Sequence, residues 1–185
     1  MRILAVSGSL RRDSWNTKVL EVARELLPDD AELEFFDGLK DVPPYDEDDD
    51  VDPAPEAVSR LREAIAGADG LLISTPEYNA SIPGQLKNAL DWVSRPHPTN
   101  PLRNKPVAVV GASTGAFGAV WAQAELRKVL STIGARVVEG EVVVSRAPTR
   151  FDADGNLIDD NLRDELWAVV LGLTEAARAR EALAA

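Results

Sequence analysis

A polar loop between two prolines, residues 75–84, contains the side chains best suited to hold a small ligand. Its sequence, Thr-Pro-Glu-Tyr-Asn-Ala-Ser-Ile-Pro-Gly, combines a carboxylate, a phenol, an amide and a hydroxyl. Pro76 and Pro83 restrict the backbone at both ends, so the groups between them are held in place before a ligand arrives. The alternative is a rigid strand-to-helix turn that binds nothing.

A second loop, residues 7–17, has the composition of a site for a phosphate monoester. It lacks both the Gly-x-Gly-x-x-Gly fingerprint of dinucleotide sites and the Gly-Lys-Ser/Thr of nucleoside triphosphate loops. Hydroxyls, an amide, a guanidinium and the N–H groups of a helix start all suit a phosphate. The side chains concerned are Ser9, Arg11, Ser14, Asn16 and Thr17. The alternative is that Ser14 and Asn16 only cap a helix while Arg11 is solvated.

A third loop, residues 111–119, is rich in small residues and includes Ser113 and Gly115. Small residues let the backbone approach a flat ligand closely. Phe117 would cover such a ligand or pack at an interface. Taken together, the three loops describe a site for a planar cofactor with a phosphate tail.

Each of these loops follows a predicted strand and precedes a predicted helix. Apolar runs predict strands at residues 3–6, 31–36, 70–74, 105–111 and 135–144. Helical periodicity predicts one helix from a cap at Ser14 or Asn16 to Pro28, and others at 56–66, 85–93, 120–133 and 161–182, with Gly67 and Gly134 as stop signals. This alternation predicts one α/β domain, residues 1–185, with a doubly wound parallel sheet of five strands in the order 2-1-3-4-5 and helices on both faces.

In that strand order the three loops meet at one edge of the sheet. Ligands of open α/β sheets bind in the crevice outside the carboxyl ends of the strands. The loops of unusual composition follow strands one, three and four, which are neighbours in the predicted order. The sequence therefore predicts one ligand site built from all three.

Composition excludes several functional classes. The 185 residues carry a net charge of −11, which argues against a surface for duplex nucleic acid. The chain has no cysteine, which excludes disulfides and thiolate sites and suits a reducing cytoplasm. No apolar run has the length of a signal core or of the ~20 residues that cross a membrane. We therefore expect a cytoplasmic protein without nucleic-acid or membrane partners.

Three other features are weaker candidates for chemistry. His97 is the only histidine, and no neighbouring carboxylate or serine pattern makes it a catalytic base. The acidic residues 46–52 suit a solvated loop better than a metal site. Residues 152–156 are similar to a calcium loop, but the glycine is misplaced and Arg163 stands where the bidentate glutamate belongs. No metal site is predicted.

The chain resembles the NADPH-dependent FMN reductase family, whose members are flavodoxin-like quinone, azo-dye and chromate reductases. Residues 8–11 with Ser14 and Asn16 resemble its phosphate motif, and residues 76–92 resemble its most diagnostic block. Residues 111–113, followed by Gly115, Gly118, Ala122-Gln123 and Leu126-Arg127, resemble its third block. The similarity runs over about residues 2–175. One departure is Trp121, at a position where family members often carry arginine.

The resemblance implies a flavodoxin-like fold and specific roles for the loop residues. FMN would be held at its phosphate by Ser9, Arg11, Ser14, Asn16 and Thr17. Its isoalloxazine ring would lie beside Pro76, Glu77, Tyr78, Asn79, Ser113 and Gly115. Trp15, beside the phosphate loop, would shield the ribityl chain or serve only in packing.

The resemblance also implies an enzyme in which the flavin carries the chemistry. NADPH or NADH would reduce FMN, and a quinone, azo dye, chromate, nitroaromatic compound or free flavin would accept the electrons. We expect backbone N–H groups around Tyr78–Asn79 and Ser113–Gly115 to bind the ring edge. No catalytic side chain is required. Glu77 and Tyr78 are candidate auxiliaries, although Glu77 is better suited to ordering its loop or an adjoining subunit. A homodimer or tetramer is expected.

Three other functions compete with this one. A flavodoxin-type electron carrier would bind FMN without NAD(P)H turnover, and the acidic charge suits it. A phosphorylated receiver of the same topology needs acidic residues where Ser7, Ser74 and Thr75 stand. A scaffold without a ligand would be colourless and would not bind added FMN.

Overall fold

A parallel sheet forms the centre of the molecule. The computed structural model describes residues 1–184. Its strands are β1 (Arg2–Ser7), β2 (Glu32–Phe35), β3 (Gly70–Thr75), β4 (Pro106–Ala112), β5 (Arg136–Val137) and β6 (Val143–Val144). The strand order is β2-β1-β3-β4-β5, and β6 pairs with the far end of β4. All strand pairs are parallel, which confirms the predicted order and the flavodoxin-like fold.

Five helices cover the two faces of the sheet. They are α1 (Trp15–Glu25), α2 (Glu56–Gly67), α3 (Gly84–Val93), α4 (Val120–Ile133) and α5 (Asp160–Ala184). Alternate side chains of β1 point to opposite faces, so Leu4 joins one apolar core and Ile3 the other. Helices α2, α3 and α4 pack in the first core, and α1 and α5 pack in the second.

The last predicted strand, residues 135–144, is interrupted. Only its two ends pair with β4, because side chains of α4 bind the backbone between them. The guanidinium of Arg127 donates to the carbonyls of Val138 and Gly140. The amide of Gln123 donates to the carbonyl of Val142 at 3.0 Å. Gly140, with φ of 112°, lets the chain turn out of the strand path.

The helix boundaries follow their local signals. Ser14 is the N-cap of α1, and Gly134 ends α4 with φ of 104°, as predicted. Gly67 is the last residue of α2, as expected of a stop signal, and Ala68 is the residue at the cap. The amino group of Lys105, which is 2% exposed, donates to the carbonyls of Ala66 and Ala68 and so satisfies the end of this helix.

Candidate functional site

The carboxyl ends of β1, β3 and β4 surround a cavity of about 250 Å³. Its lining contains eight of the predicted site residues, namely Ser9, Arg11, Ser14, Asn16, Pro76, Glu77, Tyr78 and Ser113. Trp15, Ala112 and Thr114 complete it. Thr17, Asn79 and Gly115 belong to the same loops but do not line the cavity. The structure thus brings the three candidate loops together at one edge of the sheet.

The first loop packs closely against β3 at its start. The amide of Gly8 donates to the carbonyl of Ser74 at 2.8 Å. A Cβ atom on Gly8 would lie 2.9 Å from Leu86. This contact places the following residues, and with them the N-terminus of α1, over the ends of β1 and β3.

The start of α1 offers donors for an anion. The hydroxyl oxygen of Ser14 accepts from the N–H of Asn16 at 3.2 Å. The helical ladder begins where Lys18 donates to the carbonyl of Ser14, so the N–H groups of Trp15 and Thr17 precede it. Together with the side chains of Ser9 and Arg11, these groups form a donor set that fits a phosphate monoester.

Asn16 is buried and connects the start of α1 with the ends of β3 and β4. Its Nδ2 donates to the carbonyl of Ala112 at 3.0 Å. Its Oδ1 accepts from the N–H of Ala112 at 3.0 Å and from the hydroxyl of Ser74 at 2.8 Å. These contacts favour a role in holding the site together, and a direct contact with phosphate stays a prediction. The hydroxyl of Thr17 is likewise engaged, since it donates to Ser7 Oγ at 3.1 Å.

Glu77 fastens the second loop to α4. Its Oε2 accepts from the N–H groups of Trp121 at 3.0 Å and Ala122 at 3.2 Å. The residue before α4, Ala119, has φ of 65° and supplies no side-chain cap. Glu77 therefore serves as the missing N-cap, and its charge is favourable beside the positive end of the helix. This geometry supports the interpretation that Glu77 orders its loop.

A tight turn forms the tip of the second loop. Tyr78 and Ser81 exchange two backbone hydrogen bonds, of 3.0 and 3.1 Å. Asn79 and Ala80 between them have positive φ, 55° and 61°. The turn leaves the Tyr78 ring 53% exposed at the cavity edge.

The backbone donors available to a ligand are fewer than the sequence suggests. The N–H of Tyr78 donates to Ser81, that of Ser113 to the carbonyl of Val144, and that of Gly115 to Ser113 Oγ. Of the N–H groups of Tyr78–Asn79 and Ser113–Gly115, those of Asn79 and Thr114 have no acceptor among residues 1–184. Thr114 lines the cavity, whereas Asn79 lies on the adjoining turn.

Two aromatic pairs include residues of the candidate loops. Trp15, which lines it, stacks on the buried Phe151 with ring centroids 5.4 Å apart. Phe117 and Trp121 are exposed and lie 4.9 Å apart. From the sequence, Trp15 was expected to shield the ribityl chain or to serve in packing. Its partner Phe151 lies far along the chain, and no local sequence pattern indicates this contact.

The weaker candidates remain outside this site. His97 is exposed and lies beside a separate cavity near the end of α3. Asp152 accepts from the N–H groups of Asp154 and Asn156, as in an ordinary turn. Within the described part of the chain, no group of three histidine, aspartate or glutamate side chains is placed to hold a metal ion. No helix of residues 1–184 has both the length and the apolar character to cross a bilayer.

Comparison with known proteins identifies relatives over most of the chain. A family model described as NADPH-dependent FMN reductase matches residues 1–149. An NAD(P)H-dependent FMN reductase of Pseudomonas aeruginosa is 44% identical over 89% of this chain and 88% of its own. A 2-hydroxy-1,4-benzoquinone reductase of Burkholderia sp. is 41% identical over 90% of both chains. The flavoenzyme NAD(P)H:(acceptor) oxidoreductase FerB of Paracoccus denitrificans superposes with a TM-score of 0.84 at 35% identity, covering 95% of this chain and 98% of that one.

Proposed function

Since the chain belongs to the NADPH-dependent FMN reductase family, we propose that the cavity at the ends of β1, β3 and β4 holds FMN and that a quinone is the electron acceptor. The protein is an NAD(P)H-dependent flavin oxidoreductase. Bound FMN would supply the redox chemistry that couples oxidation of the nicotinamide to reduction of the acceptor. The observation that carries the proposal is the convergence of a phosphate-type donor set and a small-residue loop in one cavity.

The residues at one end of the cavity bind and orient the phosphate. Arg11 supplies a guanidinium that matches phosphate geometry, and Ser9 and Ser14 supply hydroxyls. The N–H groups at the start of α1 add donors and a favourable dipole. The Ser14 hydroxyl serves twice, since it also caps the helix. Asn16 and Thr17 hold this arrangement in place through the contacts described above.

The residues at the other end hold the ring and supply donors to its edge. Pro76, Tyr78 and Ser113 form the walls on both sides. The N–H groups of Asn79 and Thr114 would donate to the ring edge and stabilise negative charge there. No protein nucleophile or proton shuttle is needed. Glu77 acts only through the position of its loop, because its carboxylate is bound to α4.

A quinone is the acceptor that the relatives favour. The Burkholderia relative is named a 2-hydroxy-1,4-benzoquinone reductase, and a relative from Escherichia coli K12, 36% identical over 90% of this chain, is named a quinone reductase. The exposed ring of Tyr78 at the cavity edge offers aromatic surface to a flat acceptor. Azo dyes, chromate, nitroaromatic compounds and free flavin are the competing acceptors.

We also propose that the protein forms a homodimer or tetramer and that it is cytoplasmic. A homodimer or tetramer would bury Phe117 and Trp121, which are 62% and 48% exposed on the isolated chain. Sedimentation of the purified protein tests this, and a monomer at micromolar concentration would contradict it. The absence of cysteine suits the reducing cytoplasm.

The test is rapid mixing of the FMN-loaded protein with NADPH and, separately, with NADH, without oxygen. We expect the visible flavin absorbance to bleach rapidly and to recover on addition of a benzoquinone. A flavin that stays oxidised with both coenzymes would instead indicate a flavodoxin-type carrier. A protein that does not bind added FMN would contradict the whole assignment.

A further inference from the structure

A second cavity, of about 490 Å³, adjoins the flavin-phosphate loop on its other side. It lies between the loops that follow β1 and β2, and residues 9–12 and 35–40 contribute most of its lining. Its size is within the range of about 300–1,000 Å³ that is usual for small-molecule sites. No role proposed above uses this cavity.

The cavity concentrates positive charge on a chain that is strongly negative. Arg11, Arg12 and Lys40 all line it and are exposed. None of them forms an ion pair with another residue in the range 1–184. The one carboxylate of the lining, Asp37, faces Arg60 at 3.9 Å. With a net charge of −11 for the whole chain, this local excess of cations indicates a site for an anion.

Apolar surface lies among these cations. Leu10 is 48% exposed and lines the cavity, and Phe36 is partly exposed opposite to it. Phe35 lines the same wall, and the guanidinium of Arg24 lies 5.7 Å from its ring centroid. A ligand that carries both an anionic group and a flat apolar base, such as a nucleotide, matches this lining better than an inorganic ion.

The two cavities share part of their lining. Ser9 and Arg11 line both, so the second cavity begins where the phosphate of FMN is proposed to end. A dinucleotide whose nicotinamide lies on the flavin ring would run back along the phosphate loop and reach this cavity with its adenosine half. NADPH differs from NADH only by a phosphate on that adenosine.

From these observations we propose that the second cavity binds the adenosine 2′-phosphate of NADPH, and that Arg12 and Lys40 make NADPH the preferred coenzyme. The inference rests on the proposed function, because it takes the flavin cavity as the place of hydride transfer. Arg12 and Lys40 are the residues that test it, since Arg11 also belongs to the proposed FMN site.

The experiment compares coenzyme kinetics of the wild-type holoenzyme with those of the double variant Arg12→Ala/Lys40→Ala. We expect kcat/KM for NADPH to fall about tenfold or more, mainly through KM, because two charge-assisted contacts are lost. We expect kcat/KM for NADH to change less than about threefold. Arg136→Ala, an exposed arginine of β5, is the matched control and should change neither value.

A direct binding measurement separates this inference from the proposed function. Calorimetry with adenosine 2′,5′-bisphosphate requires no turnover. We expect it to bind the wild-type holoenzyme more tightly than AMP and to lose that advantage in the double variant. Equal affinities for the two nucleotides, or equal losses with NADPH and NADH, would overturn the coenzyme inference while leaving flavin reduction intact. A wild-type holoenzyme that neither coenzyme reduces would overturn the proposed function itself.

Discussion

Asn16 and Glu77 are polar residues of this site whose side chains form hydrogen bonds with the protein itself. Each binds backbone groups of another segment, Asn16 at Ala112 and Glu77 at Trp121 and Ala122. A buried amide with three partners and a carboxylate at a helix start are both costly to remove. The geometry of the cavity proposed for FMN therefore depends on Asn16 and Glu77. The resemblance to the family implies instead that both residues contact FMN directly.

Replacing Asn16 by alanine should destabilise the protein before any cofactor is added. Three buried hydrogen bonds are lost and Ala112 and Ser74 lose their partner, so we expect the free energy of unfolding of the apoprotein to fall by about 2–4 kcal/mol. Urea denaturation measures this. Asn156→Ala, in an exposed turn, is the control and should cost less than about 1 kcal/mol. Unchanged stability with weakened FMN binding would instead identify Asn16 as a phosphate ligand.

Replacing Glu77 by alanine should loosen the second loop. The start of α4 loses its cap, which costs about 0.5–2 kcal/mol. We expect Glu77→Ala to weaken FMN binding, and Glu77→Gln, which keeps an acceptor oxygen, to recover most of the affinity. Fluorescence titration with FMN measures both. A turnover defect of similar size in both variants, with normal FMN affinity, would instead indicate an acid–base role.

At the scale of secondary-structure elements, the sequence correctly predicted the helix boundaries that depend on neighbouring residues. The capping serine of α1, the stop at Gly134 and the bounds of α4 follow from residues within one turn of each boundary. The alternation of five predicted strands with five helices predicted the strand order, because few doubly wound arrangements suit a single domain of this length. The predicted order also placed the three loops at one edge, and the cavity there contains most of the predicted site residues.

The remaining features depend on contacts that are remote in sequence. The last strand is interrupted because Arg127 and Gln123, on α4, bind its carbonyls. The same applies to the tie between Asn16 and Ala112, and to the stack of Trp15 on Phe151. Periodicity along one segment carries no information about such partners.

Two glycines at the edges of the site should respond oppositely to alanine. Gly118 has φ of 54°, and a Cβ there would lie 2.4 Å from Val143, so Gly118→Ala should cost more than about 2 kcal/mol. Gly84, at the start of α3, has open space around its Cβ position and no positive φ. Gly84→Ala should leave stability unchanged or raise it by up to about 1 kcal/mol. Thermal unfolding of the two variants measures both changes in stability. Equal losses of stability would contradict the backbone conformation described for residues 111–119.

At the scale of the whole molecule, the two edges of the sheet have different roles. The carboxyl edge carries the cavities proposed for FMN and for the coenzyme. At the opposite edge, Lys105 is buried beneath the end of α2, and its burial lowers its pKa from 10.5 to about 8, with Arg180 and Arg2 adding to the effect and Asp69 opposing it. This edge contributes a pH dependence to stability that is separate from the site.

The stability of the fold should therefore rise in mildly alkaline solution. Between pH 8 and 10.5 the unfolded chain holds the Lys105 proton and the folded chain has lost it, so the free energy of unfolding increases with pH. With allowance for solvent screening, we expect a gain of about 1–2 kcal/mol. Urea denaturation across this range measures it. Lys105→Met should remove the dependence, and an identical pH profile in that variant would contradict the assignment.

The account as a whole rests on where FMN binds. A crystal structure of the FMN-loaded protein tests this most directly. We expect the phosphate to lie against Ser9, Arg11 and Ser14, and the isoalloxazine ring to lie between Tyr78 and Ser113, with its edge at the N–H groups of Asn79 and Thr114. FMN bound at any other place, with the cavity between β1, β3 and β4 left empty, would contradict the central claim.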